Sequence, residues 1–154
     1  MARYLAIAHQ TADSPELLEC LHGLAASDSE AEFTLLVPST PVCTTWTCDE
    51  EETARVAHER AALGSQRMTE AGLRVAAART ADADPIAALR DELRRGDSYD
   101  AVVISTLPAG ISRWLKMDVL TRAARLFPNL RVISVIARSV RAPIEAPAEP
   151  VVQA

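Results

Sequence analysis

The chain has 154 residues, 49% of them hydrophobic and 24% charged, the size and balance of one globular domain with a single substantial core. A formal net charge of −5 argues against a general nucleic-acid surface, because phosphate backbones are held by clustered Lys and Arg; it still leaves room for one locally positive loop to take a small anion. Aromatics are only 4%, so the core must be built mainly from Ala, Val, Leu and Ile.

"YLAIAH" (4–9) is a short apolar run that predicts the first strand. Ser14-Pro15-Glu16 then opens a helix, with Ser as N-cap, Pro at the first helical position and an acid in the first turn. Leu17, Leu21, Leu24 and Ala25 form its apolar stripe. "EFTLLVP" (32–38) is the second strand, stopped by Pro38, and a polar loop, "STPVCTTWTC", runs to an acidic helix start at 49–52. The second helix carries Ala54, Ala57, Ala61, Gly64 and Met68 on one face, small residues that let a helix lie close against a sheet. Gly72 is its C-cap, and "LRVAAART" (73–80) is the third strand. Asp84-Pro85 repeats the cap-and-proline start of a third helix, with Ile86, Leu89 and Leu93 as its stripe. "YDAVVIST" is the fourth strand, a helix spans about 113–127, and "LRVISVIA" (130–137) is the fifth strand.

This βαβαβαβαβ order, with near-continuous apolar strands, predicts a parallel sheet covered by helices on both faces. Residues 1–138 form that α/β domain, and 139–154, with Pro143, Pro147, Pro150 and no periodicity, read as a flexible tail. No apolar stretch approaches the ~20 residues needed to cross a bilayer, and the N-terminus passes directly into a strand without a signal-peptide core. The expected compartment is the cytoplasm, with Cys20, Cys43 and Cys48 reduced and no zinc-ligand spacing among them.

In open parallel sheets, ligands sit beyond the carboxyl ends of the strands. After the fourth strand come the hydroxyls Ser105, Thr106 and Ser112, with Gly110 and the start of a helix at Arg113. Backbone N–H groups and the helix dipole there attract anions, and Arg113 adds charge. His9 and Thr11 end the first strand at the same crevice, so the candidate ligand site comprises His9, Thr11, Thr106, Gly110, Ser112 and Arg113. No catalytic or metal-ligating set is assigned. Helical phase puts Leu115, Val119, Ala123, Leu126 and Phe127 on the buried face and turns Trp114 away from it, as a ligand platform, an interface anchor or a plain surface residue. Trp46, between Cys43 and Cys48, lies in the long loop as a potential flap; His22 and His58 read as solvated.

With these elements and residues in place, the chain resembles the universal stress protein family, over roughly residues 2–137. The resemblance rests on the strand and helix order, on the long loop and long helix after the second strand, and on "ADADPIAALRDELRRGDSYDAVVIST". That passage is similar to the family's Asp-Pro-led helix followed by the fourth strand. The resemblance implies a five-stranded parallel sheet in the order 3-2-1-4-5, a homodimer, and ATP or AMP bound beside strands one and four. The chain departs from the family's ATP pattern in two places. Ala8-His9-Gln10 stands where those members carry an Asp, and Leu107-Pro108-Ala109-Gly110-Ile111-Ser112 has one Gly where they carry Gly-x-x-Gly and a later Gly-Ser. Pro108 also removes an N–H donor. The sequence is compatible with three functions: a non-catalytic domain binding a nucleotide or phosphorylated compound, a ligand-free dimeric interaction or regulatory protein, and, least favoured, a nucleotide hydrolase using His9.

Overall fold

The computed structural model describes residues 1–43, 46–108 and 118–138. In chain order the elements are β1 (Arg3–Ile7), α1 (Pro15–Ser27), β2 (Glu32–Pro38), β3 (Val42–Cys43), β4 (Cys48–Asp49), α2 (Glu50–Glu70), β5 (Arg74–Ala81), α3 (Pro85–Arg94), β6 (Ala101–Thr106), α4 (Val119–Leu126) and β7 (Arg131–Ile136). Five of the strands form one sheet in the order β5-β2-β1-β6-β7, every neighbouring pair parallel. Counting only those five, the order is third, second, first, fourth, fifth, as expected.

The capping predictions hold at atomic detail. Ser14 Oγ accepts from Leu17 N at 3.2 Å with Pro15 opening α1, and Asp84 Oδ1 accepts from Ile86 N at 3.0 Å with Pro85 opening α3. Asp49 Oδ1 accepts from Glu52 N at 3.0 Å and starts α2. Gly72 follows α2 at φ +86°, a conformation that residues with a Cβ adopt only with strain.

Helices cover both faces. On one face Leu17 and Leu21 of α1 and Ala57, Ala61 and Met68 of α2 pack with Tyr4, Ala6, Phe33, Leu35, Ala101 and Val103. On the other, Ile86 and Leu89 of α3 and Val119 and Ala123 of α4 pack with Leu5, Ile7, Leu36, Val102 and Ile104. The central strands β1, β2 and β6 are therefore buried on both sides, which is why their sequences are near-continuous apolar runs. Edge strand β5 alternates exposed and half-buried residues over most of its length. Gly64 is where α2 comes nearest: a Cβ there would stand 2.7 Å from Leu35 Cδ2 and 3.0 Å from Ala12 O.

Several expectations need correction. Ala54 is exposed, because the helix begins beyond the sheet and its stripe meets the core only from Ala57 onward. Asp118 at φ +53° interrupts any continuous helix over 113–127, so α4 begins at Val119; residues 113–117 lie outside the described residues. With that shorter helix, Leu126 is 48% exposed and not part of the core. The loop after β2 holds a two-stranded antiparallel sheet in which Cys43 faces Cys48, and the two form a disulfide. The pairing places their Cα atoms 3.9 Å apart, so these two cysteines are oxidised and only Cys20 is free.

Candidate functional site

Because all five strands run the same way, their carboxyl ends form one edge, and the turn after β1 meets the end of β6 there. The chain after β1 closes on itself through Ala12 N donating to His9 O at 3.2 Å and Ser14 N to Thr11 O at 3.0 Å. Thr11 is buried, and its hydroxyl donates to Ser105 O at 3.3 Å, tying this turn to the end of β6. Thr106 is equally buried, and its hydroxyl reaches Val135 O on β7 at 3.5 Å. Both threonines use their donors inside the protein. Alternation along β6 puts Ser105 on the face of α1 and α2 with Val103, and Thr106 on the opposite face with Ile104.

Two polar atoms at this edge stand apart. Ser105 is 1% exposed and, among the described residues, its Oγ has no hydrogen-bond partner; His9 Nε2 is buried and also has none among them. Most buried polar atoms in folded proteins are bonded, so each such atom calls for a reason. Burial, reinforced by the guanidinium of Arg60 on α2, pushes the His9 imidazole down to about 4. The ring is therefore neutral at pH 7 and can give or take a hydrogen bond without bringing charge. Arg60 is half-buried and, among the described residues, belongs to no ion pair. The carboxyl edge thus carries a neutral imidazole, an unused hydroxyl and a cation outside any ion pair among the described residues, groups suited to an anion bearing hydrogen-bond acceptors and donors.

Of the six residues expected to form the site, His9, Thr11 and Thr106 are at this edge, the two threonines as structural ties. Gly110, Ser112 and Arg113 lie outside the described residues, as does Trp114. Ser105 and Arg60 are the additions. Strand alternation separates Ser105 from Thr106, and Arg60 could have been found from its place one turn before Gly64, on a helix running back along the sheet. Among the described residues, no group of three or more His, Cys, Asp or Glu is placed to hold a metal ion, and no helix is long and apolar enough to cross a membrane.

No protein-family model matches the chain, and no curated protein matches it in sequence. Solved structures do. A universal stress protein family structure from Burkholderia pseudomallei is 17% identical, with a TM-score of 0.57, covering 86% of this chain and 94% of its own. A universal stress protein from Archaeoglobus fulgidus is 15% identical, TM-score 0.58, with coverages of 88% and 93%. A universal stress protein family protein from Arabidopsis thaliana, solved with AMP bound, is 13% identical, TM-score 0.58, with coverages of 94% and 97%. At these identities the likeness is one of architecture, and it spans nearly all of both partners: the chain has the universal stress protein fold.

Proposed function

We propose that the chain is a divergent universal stress protein that binds a nucleotide or another small phosphorylated compound at the carboxyl edge between β1 and β6, without chemistry of its own. One observation carries the reading: two buried, unpartnered polar atoms, His9 Nε2 and Ser105 Oγ, stand at that edge with the Arg60 guanidinium acting on His9. A ligand that supplied their missing hydrogen bonds would remove the cost of burying them. The AMP held by the Arabidopsis thaliana structure of the same fold supports the ligand class. Arg113, Ser112 and Gly110 remain part of the proposed site on sequence grounds, as the segment that follows β6.

A homodimer belongs to the same reading. Among the described residues, strand β7 has a neighbour only on its β6 side, and Ile136 on it is 47% exposed, an apolar edge that another copy can cover. That edge also favours the second reading, a dimeric interaction protein with no ligand.

Calorimetry with AMP, ATP and inorganic phosphate on the wild type, Arg60→Ala and Arg113→Ala distinguishes the two. The binding reading expects heat with at least one ligand and a loss of about 1–3 kcal/mol in affinity for each variant, the scale of a charged hydrogen bond. Absence of heat with all three ligands, with a dimer in sedimentation, selects the interaction protein.

A further inference from the structure

The hairpin β3–β4 stands outside both hydrophobic cores. Each of its strands is two residues long, it pairs with no strand of the main sheet, and Cys43 and Cys48 are both exposed. It is held to the body locally: Val42 N donates to Thr53 Oγ1 at 2.9 Å, and the same hydroxyl donates to Asp49 O at 2.6 Å. The disulfide spans a sequence separation of 5, so it removes less conformational freedom from the unfolded chain than a bond between distant elements would. A bond between two exposed cysteines that belong to neither core is of the labile kind and not a core staple.

We propose that Cys43 and Cys48 form a reversible thiol–disulfide site, opened by a thiol reductant such as glutathione or a thioredoxin-class dithiol. A reductant thiolate attacks one of the two sulfurs, the S–S bond breaks, and the released cysteine sulfur leaves as a thiolate that takes a proton from water. A second reductant thiol then attacks the mixed disulfide, frees the other cysteine as a thiol and leaves the reductant as its own disulfide. Two electrons pass from reductant to protein, and the reverse sequence reforms the bond.

Opening the bond leaves a hairpin of two-residue strands, too short to persist alone. Trp46, 92% exposed inside the disulfide-closed loop, then loses its fixed position. The hairpin leads directly into the Asp49 cap of α2, the helix that carries Arg60 toward the carboxyl edge, so the redox state reaches the proposed ligand site through that helix. This last link rests on the binding reading; the thiol–disulfide site does not.

The test uses the full-length native protein in reduced and oxidised glutathione buffers, quenched by an alkylating reagent and read by mass spectrometry cysteine by cysteine. Cys43 and Cys48 are expected to convert together, with the far-ultraviolet circular dichroism unchanged. Cys20 serves as the internal control, since burial pushes its thiol up and keeps it protonated. Trp46 emission should rise on reduction to the level of a Cys43→Ser/Cys48→Ser variant, in which no disulfide can quench it. Persistence of the bond in native protein until denaturant is added would overturn the proposal. So would unfolding of the double variant, or complete alkylation of both cysteines with no reductant present.

Discussion

The two ends of the same sheet treat polar groups in opposite ways. Toward the amino edge, nearly every buried or half-buried polar group has a partner. Arg3 bonds Asp97 at 3.1 Å, its guanidinium lies over Tyr99 with Cζ 5.6 Å from the ring centroid, and Asp28 accepts from Ala2 N at 2.6 Å. Glu92 on α3, 3% exposed, is met by Arg79, by the Tyr99 hydroxyl at 2.8 Å and by Arg95 Nε at 3.6 Å. Burial pushes the Tyr99 phenol up, so it stays protonated and donates. At the carboxyl edge, Ser105 Oγ and His9 Nε2 are buried and, among the described residues, unbonded. A fold that satisfies a buried carboxylate three times over has no difficulty making hydrogen bonds, so the unmet atoms at the other end mark where a second molecule is expected.

The contrast predicts which substitutions hurt. Glu92→Ala strips Arg79, Arg95 and Tyr99 of their shared acceptor; as Arg79 is 31% exposed, the loss should fall at the low end for a broken buried pair, about 3 kcal/mol of unfolding free energy in urea titration. A loss under about 1 kcal/mol would show that the cluster is replaceable and the contrast shallow.

The pH response of His9 comes next. Its folded-state value, about 4, lies below the ordinary 6.5, so the unfolded chain binds a proton that the folded chain refuses between those limits. Stability is fully present above about 6.5 and is lost as pH falls toward 4, by on the order of 1–2 kcal/mol once the ring's partial exposure is allowed for. Urea midpoints for wild type and His9→Gln, which has no titrating group at this position, should lie closest at neutral pH and separate in acid, where the wild type alone loses stability.

Smallest of all is the effect of Ser105→Ala on stability. Removing a buried hydroxyl that bonds nothing should change unfolding free energy by less than about 1 kcal/mol, and can raise it. The same variant should weaken AMP binding in calorimetry. A large destabilisation would mean that the Ser105 hydroxyl holds the fold together just as the Glu92 carboxylate does, and that the two edges are alike.

Much of the fold was readable because its signals are local. Ser14-Pro15 and Asp84-Pro85 begin helices wherever they occur, and runs such as Ala101-Val102-Val103-Ile104 are apolar on every residue only when both faces of a strand are covered. What could not be read depends on contacts distant in sequence. Arg79 and Glu92 meet only because β5 and α3 pack together, and nothing in the stripe Ile86, Leu89, Leu93 marks Glu92 as buried. The Cys43–Cys48 pairing needed a hairpin that a polar loop sequence does not announce. In the candidate site, the turn after β1 was legible, whereas the division of labour between Ser105 and its neighbours Thr11 and Thr106 was not, since three hydroxyls look alike until their partners are seen.

The close approach at Gly64 also constrains how this sequence can diverge. The space a side chain would need at position 64 is already filled by Leu35 Cδ2 and the carbonyl of Ala12. The leucine end can retreat or be shortened, but the carbonyl belongs to the turn that carries His9 and Thr11 and cannot. In related sequences, then, a residue larger than glycine at 64 should arrive together with a smaller one at 35. Where it arrives alone, the turn after β1 should be found remodelled, its histidine exchanged for something else: two positions far apart in the chain inheriting changes as a pair.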